Sequence, residues 1–332
     1  MRFLKRLGCL VLLAALAGGF AAFRLMSVYQ GFAGETFVEF PRGTSSDGIA
    51  DRLAAAGVVR SRWDFLLARL VKRGRVLQAG EYRFDRAASP LQVFDRIARG
   101  DVFYYTLVVP EGQNIFDIAQ SAGGLGLFSA TDFLAAARNP AMIRDLDPEA
   151  QTLEGYLFPN TYKLTRHATA DSACRMMTGK FREVWRTLQA KTTANTSPHD
   201  VVTLASMIER EAKLPSERPL IAAVFTNRLR IGMKLDCDPT TIYAALLENR
   251  YRGGIYRSDL ESDNPYNTYR HSGLPPGPIA NPGADSLRAA MAPAQSDALY
   301  FVAKPDGSGA HEFSHTLDAH NAATERYRHG QK

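Results

Sequence analysis

The first pattern along the chain is an uncharged apolar block from Leu7 to Phe23, preceded by Arg2, Lys5 and Arg6 and followed by Arg24. As a helix rising about 1.5 Å per residue it reaches about 25 Å, the thinner end of bilayer hydrocarbon. The basic cluster ahead of it predicts a cytoplasmic N-terminus with the rest of the chain exported. Ala15-Leu16-Ala17 also fits the small-x-small pattern of a cleaved signal peptide. The apolar run continues past that site to Phe23 without a polar break, which favours an uncleaved single-pass anchor, with the body of the protein outside the cytoplasm.

Beyond a short connector the period shortens. Thr36 to Phe40 alternates as a strand does, Pro41-Arg42-Gly43 breaks it, and a helical pattern opens at Ile49, Leu53 and Ala56. The unit recurs: Tyr105 to Val109 reads as a strand, Pro110-Glu111-Gly112 as its turn, and Ile115, Ile118 and Ala119 as a second helix. Aligned on the Pro-x-Gly turns, Ile49-Ala50 answers Ile118-Ala119. Gln78 to Phe84 supplies a closing strand, and Ser89 to Arg99 a helix capped by Ser89 with Pro90 in its first turn. Such units are similar to the opening of LysM-type modules, which bind N-acetylglucosamine-containing glycans.

Thr131 to Arg138 is a further helix, and the polar crossing between Asn139 and Thr152 marks a boundary. Asp171 to Thr192 spaces Cys174, Met177, Phe181, Val184, Trp185 and Leu188 as an amphipathic helix, ended by Thr192 to Ser197. The predicted fold is α+β: a stub and transmembrane anchor (1–24), a LysM-like α+β module (25–102), a second strand-turn-helix unit with a connector (103–150), and a C-terminal α+β domain (151–332).

The candidate chemistry lies in that last part. Val201 to Ala212 is helical by period, with Val201, Leu204, Ala205, Ile208 and Ala212 in one stripe and Arg210 opposite. At about 100° per residue, Glu209 and Glu211 fall on the two flanks, each half sheltered, so periodicity does not choose between them. A following helix is expected from a Ser216 cap through Leu220, Val224 and Asn227 to Gly232. Asp238-Pro239-Thr240, Asn264 to Tyr269 and Gly273 to Gly283 then read as loops stiffened by proline, whose tyrosines and amides suit sugars.

Composition narrows the classes. The chain has 332 residues, 40 basic against 34 acidic for a net charge of +6, and the charges are interspersed along it rather than gathered into a basic tail, which argues against a nucleic-acid partner. Cys174 and Cys237 read as two buried free thiols rather than a disulfide. His311-Glu312-Phe313-Ser314-His315 spells the HExxH pattern of zinc peptidases, but Asp306-Gly307-Ser308-Gly309 before it and the strand pattern of Tyr300-Phe301-Val302 argue for a strand and turn; no metal and no cofactor is expected.

Five segments carry a resemblance. Leu153-Glu154-Gly155-Tyr156-Leu157-Phe158-Pro159-Asn160-Thr161-Tyr162, Ala205-Ser206-Met207-Ile208-Glu209-Arg210-Glu211, Val224-Phe225-Thr226-Asn227-Arg228-Leu229, Tyr266-Asn267-Thr268-Tyr269 and Gly273 to Ile279 together resemble the endolytic murein transglycosylase (MltG/YceG-like) family, in order and over nearly all of the exported chain. The resemblance implies a non-hydrolytic lyase. It would cut the MurNAc-GlcNAc β-1,4 bond of nascent strands, leave 1,6-anhydroMurNAc ends and so terminate glycan elongation. It implies Glu209 as the catalytic acid and base, with Glu154, Tyr156, Asn160, Tyr162, Asn227, Asp238, Tyr266, Asn267, Tyr269 and Asn281 as substrate-binding residues. The family commonly has aspartate where Asn160 stands, which removes a charge and leaves a hydrogen-bonding role. Partners implied are peptidoglycan glycan strands and peptidoglycan synthases. The alternatives are a non-catalytic murein-binding scaffold and the zinc peptidase.

Overall fold

The computed structural model describes residues 2–191 and 197–330, so most of the expected break at Thr192 to Ser197 lies outside the described residues. The fold is mixed α+β. The chain separates into two compact units, 1–105 and 106–332.

In the first unit, α1 (Arg2–Met26) is followed by β1 (Thr36–Phe40), α2 (Ser46–Ala55), α3 (Arg62–Val71), β2 (Gly80–Phe84) and α4 (Pro90–Arg99). The segment Arg6–Met26 is long and apolar enough to cross a membrane. β1 and β2 pair antiparallel with Val38 opposite Tyr82, and alternate side chains enter a core of Phe40, Leu53, Phe65, Tyr82, Phe94 and Ile97. α4 begins as its sequence predicts: Ser89 accepts from the Gln92 N–H, Gln92 reaches back to the Ser89 N–H, and Pro90 sits in the first turn. α3 was not legible in the sequence pattern.

In the second unit, β3 (Tyr105–Val109), α5 (Ile115–Gly123), α6 (Ala130–Ala137), β4 (Asn160–Leu164), α7 (Ala170–Gln189), α8 (Pro198–Glu211), α9 (Arg218–Arg230), α10 (Asp238–Leu247), α11 (Arg257–Leu260), α12 (Ala284–Met291), β5 (Tyr300–Ala303), β6 (His311–Ser314) and α13 (Leu317–Gly330) follow in order. β3 pairs with β4, and β5 with β6. The repeated turn is real in conformation: Gly43 and Gly112 both hold a left-handed backbone, with φ +85° and +79°, that only glycine adopts without strain. Ser45 and Asn114, at equivalent positions, cap the helices that follow.

Three expectations need correction. Ser216 does not cap α9: Pro215–Glu217 forms a 3₁₀ turn, and the helix starts at Arg218 without a side-chain cap. Asp238-Pro239-Thr240 opens α10 rather than a loop, because proline's missing N–H costs nothing in a first helical turn. The charges are also not evenly spread: the first unit holds 16 basic against 9 acidic residues, the second 24 against 25, so the positive excess lies entirely in the first.

Candidate functional site

α8 is the buried axis of the second unit, with every residue from Val201 to Ile208 inside. The stripe read from the sequence therefore widens to the whole circumference, and polar side chains on α8 must find partners within the fold. Ser206 and Glu209, three residues apart and so on one face, do so in the same way. The Ile279 N–H donates to Ser206 Oγ at 3.0 Å, and the Gly283 N–H donates to Glu209 Oε2 at 2.9 Å. The proline-rich loop 273–283 is thereby laid along the helix.

The other oxygen of Glu209 faces Arg218, whose Nη2 stands 2.9 Å from Oε1. The Glu209 side chain is only 5% exposed. Donors thus surround the carboxylate of this half-sheltered flank position. The same Arg218 nitrogen lies 3.4 Å from Glu111 Oε2, and Asp285 stands 3.9 Å from Arg218 Nη1. Three carboxylates share one guanidinium. Burial raises the Glu111 pKa, the charge of Glu209 raises it further, Arg218 opposes, and Asp285 adds to the rise. Glu111 remains half exposed, so it forms the solvent-facing lip above the nearly buried Glu209.

Glu111 belongs to the repeated Pro-x-Gly turn, where the first unit carries Arg42. The turn is fixed on α8: Arg210 donates to the Gly112 carbonyl at 3.0 Å. It is joined to the proline-rich loop by Gly112 N–H to Asn281 O at 3.0 Å and Asn281 N–H to Gln113 O at 2.8 Å. Asn281, fully buried, also accepts from the Leu157 N–H and donates to Gln113 O and Glu154 Oε1.

Several of the residues expected to bind substrate lie inside the fold. Glu154 is buried, accepts from the Ile115 N–H at 2.9 Å, and burial pushes its pKa up to about 8 against the pull of that amide and of the Tyr243 hydroxyl. Tyr156 is wholly buried and donates to Asp147, which also faces His199 Nδ1 at 2.8 Å, while His199 Nε2 faces the Pro276 carbonyl. Tyr162 donates to the Phe158 carbonyl. Asn267 is buried and donates to the carbonyls of Asp259, Leu260 and Ser262. Asn227 donates to Ser296 O and Ala298 O, anchoring the approach to β5. These five, with Asn281, spend their polar groups on bonds within the fold.

Asn160 and Asp238 are exposed, and Tyr266 and Tyr269 half-buried; the Tyr269 hydroxyl donates to Asp238 at 2.7 Å. Tyr266 packs on Tyr243 with ring centroids 5.1 Å apart. Glu211, the other candidate acid, turns inward, where it accepts from Cys237 Sγ at 3.2 Å and burial raises its pKa. Cys174 and Cys237 are both buried free thiols. The HExxH segment is β6 rather than a helix, and His311 Nδ1 pairs with Glu217 at 2.7 Å while His315 is exposed. An extended backbone separates the two histidines, as the strand reading expects.

The profile of the YceG-like family matches residues 38–326. This chain belongs to the YceG-like family. Among curated relatives, the endolytic murein transglycosylase of Bacillus subtilis (strain 168) is 33% identical over 309 residues, covering 87% of this chain and 84% of that protein. The endolytic murein transglycosylase of Streptococcus pneumoniae serotype 2 is 31% identical over 298 residues, but these cover only 54% of its length. A YceG-like protein of Listeria monocytogenes, known from a 2.6 Å crystal structure, is 32% identical, with a TM-score of 0.58 over 87% of this chain and 99% of that one. The YceG-like match takes in both the α8 motif and Glu111.

Three members of the site escaped the sequence reading: Glu111, Arg218 and Gly283. Glu111 looked like a turn residue and Arg218 like part of a helix start. Gly283 has φ −75°, an ordinary conformation, so its need for glycine is steric: a Cβ there would meet Glu111 Oε1 at 1.9 Å. A Glu and an Arg so far apart in sequence leave no local signal of their convergence.

Proposed function

We propose that this YceG-like protein is an endolytic murein transglycosylase that cleaves the MurNAc-GlcNAc β-1,4 bond of nascent glycan strands and leaves 1,6-anhydroMurNAc ends, with Glu209 as its acid and base. The observation that carries the reading is the fixing of Glu209, on the family's α8 motif, by Arg218 and the Gly283 amide beneath the half-exposed Glu111. An ordinary glycosidase uses two carboxylates because water must be activated as well as the leaving group protonated. Here the sugar supplies its own nucleophile. Protonated Glu209 gives its proton to the departing GlcNAc oxygen while the MurNAc N-acetyl oxygen supports the developing cation at C1. The MurNAc 6-hydroxyl then adds to C1, and the Glu209 carboxylate takes its proton, so no water is consumed.

The proton has to be present at the start, and the carboxylate cluster around Arg218 is where it is held. One guanidinium compensates one negative charge, and with Glu111 and Asp285 nearby the cluster takes up a proton more readily than a lone pair with arginine does, with Glu111 the member whose pKa is raised. Proton transfer of this kind is worth about 10²–10⁴ in rate.

Asn160, Asp238, Tyr266 and Tyr269 act on the glycan directly, while Glu154, Tyr156, Tyr162, Asn227, Asn267 and Asn281 hold the walls. Residues 1–24 are a stub and single-pass anchor with the N-terminus cytoplasmic, residues 25–102 a LysM-like glycan-binding module, residues 103–150 a second strand-turn-helix unit, and residues 151–332 the catalytic domain. Such a protein works in the periplasm at the inner membrane beside peptidoglycan synthases. The test is digestion of purified sacculi with separation and mass analysis of the products. Anhydro-ended muropeptides from the wild type and none from Glu209→Gln are expected; adsorption to sacculi without product would make the chain a murein-binding scaffold instead.

A further inference from the structure

The first unit carries an apolar surface that its own core does not use. On α3, Asp64, Phe65 and Ala68 point inward. At about 100° per residue, the opposite arc holds Trp63 and Leu70, while Leu66 and Leu67 beside them pack partly against the core. Trp63 is 69% exposed, Leu70 52%, and the neighbouring Val71 and Val76 60% and 71%. A solvent-facing arc of this composition on a short helix needs an explanation.

The surface is also strongly basic. From Arg60 to Val76 there are six basic residues and one acidic, Asp64. Arg62 lies over the Trp63 ring at 5.4 Å and also pairs with Asp47 and Asp51, and Lys72 pairs with Asp95. Asp64 itself is committed twice over: it closes the capping box of α3 by accepting from the Ser61 N–H, and it binds Arg24 at 2.7 Å. Arg24 is the charge that ends the apolar run of α1, and Leu25 beside it is buried in the unit's core. The first turn of α3 is therefore tied to the end of the apolar helix.

We propose that this face of α3, with Val71 and Val76, is an interfacial docking surface for the anionic phospholipid headgroups of the membrane that α1 enters. The proposal rests on the reading of α1 as an anchor. Two observations select a lipid surface as the occupant: the face is continuous with the end of α1 through Arg24 and Asp64, and its basic excess complements anionic headgroups. A tryptophan with arginines around aliphatic side chains is the composition of the membrane–water interface, where the ring sits at headgroup level and long basic side chains reach outward. The arrangement holds the first unit flat against the bilayer.

The test uses the full chain, in vesicles of phosphatidylglycerol and phosphatidylcholine whose acyl chains carry bromine near the headgroup, a short-range quencher of indole fluorescence. The only other tryptophan, Trp185, is buried in the second unit. The expected result is quenching that grows with the phosphatidylglycerol fraction, is lost in Trp63→Phe, and is reduced by Arg60→Gln, Arg73→Gln and Arg75→Gln together. These substitutions replace surface side chains. Flotation with the vesicles after an alkaline carbonate wash reports the anchor separately. A chain that floats yet leaves Trp63 unquenched overturns the docking surface with the anchor intact. Quenching equally strong in pure phosphatidylcholine overturns the role of charge, and failure to float removes the anchor on which the proposal stands.

Discussion

Gly283→Ala separates the role of Glu111 from that of Glu209 with one methyl group. The backbone at Gly283, φ −75° and ψ 172°, suits alanine, and its N–H bond to Glu209 is kept. The new Cβ would stand 1.9 Å from Glu111 Oε1 and 2.2 Å from its Cδ, so the flexible end of Glu111 must swing away. The cost to folding is that of replacing glycine by alanine at a helix N-cap, within about 1 kcal/mol. The electrostatic effect is bounded by geometry. Both carboxylates touch the same Arg218 nitrogen, at 2.9 and 3.4 Å, so their nearest oxygens are no more than about 6.3 Å apart. At that limit and an effective dielectric near 20, their repulsion is about 3 kcal/mol. Glu111 is half exposed and a guanidinium stands between, which reduces the figure to about 1 kcal/mol, or roughly a five- to tenfold loss of rate near neutral pH. Glu111→Gln should match it, and the double variant should lose no more than either alone. Losses that multiply, or two single variants indistinguishable from wild type, would refute the shared-proton cluster.

Glu211→Gln should retain a measurable rate in the sacculus assay that Glu209→Gln fails, because Glu211 turns inward to Cys237; the reverse ranking would move the catalytic role to Glu211. Glu154 has a folded-state pKa of about 8 against an ordinary value of 4.5, so the folded protein holds a proton that the unfolded chain has lost. The corresponding stability is fully present below about pH 4.5 and is lost as the pH rises toward 8, and urea midpoints across that window should flatten in Glu154→Gln. Tyr156→Phe removes a buried donor to Asp147 and should cost about 1–3 kcal/mol of stability with little change in kcat/KM per folded molecule, as measured by denaturant titration beside the activity assay.

The parts of the fold legible in the sequence are those decided locally. β1 and β3 alternate, α4 carries its own capping box and proline, and the paired Pro-x-Gly turns keep the same left-handed glycine. α3 escaped because apolar residues cover both its inward and outward arcs, which blurs a one-sided stripe. α10 escaped because Asp-Pro is a signal of loops and of helix starts alike. At the site, residue type pointed to polar and aromatic groups suited to sugar, yet type does not say which way a side chain faces. Asn267 and Asn281 took the same amide chemistry inward, where they satisfy backbone groups of loops that have little regular structure to do it for them. Arg218 and Glu111 are brought to Glu209 by long-range packing, and nothing near them in sequence announces it.

The proline-rich loop explains why the site is rigid where it is. Pro275, Pro276, Pro278 and Pro282 have no N–H to give, and the amides of Ile279, Asn281 and Gly283, alternate along the loop, each go to a different acceptor: Ser206, the Gln113 carbonyl and Glu209. The loop is thus pinned at every second residue, and its prolines lower the entropy lost in pinning it. Gly155 packs against both this loop and α8. Its φ is +86°, and a Cβ there would stand 2.6 Å from the Pro278 ring and 2.7 Å from Val202 Cγ1. Neither neighbour is the free end of a flexible chain. Gly155→Ala therefore adds the same methyl as Gly283→Ala with an opposite outcome: about 1–2 kcal/mol for the left-handed backbone and about 1–3 kcal/mol for overpacking. Denaturant midpoints should fall sharply for Gly155→Ala and barely for Gly283→Ala, while the loss of rate per folded molecule at neutral pH follows the second. An unchanged midpoint in Gly155→Ala would mean that the loop yields to a methyl group, and a loop that yields does not hold the Gly283 amide on Glu209.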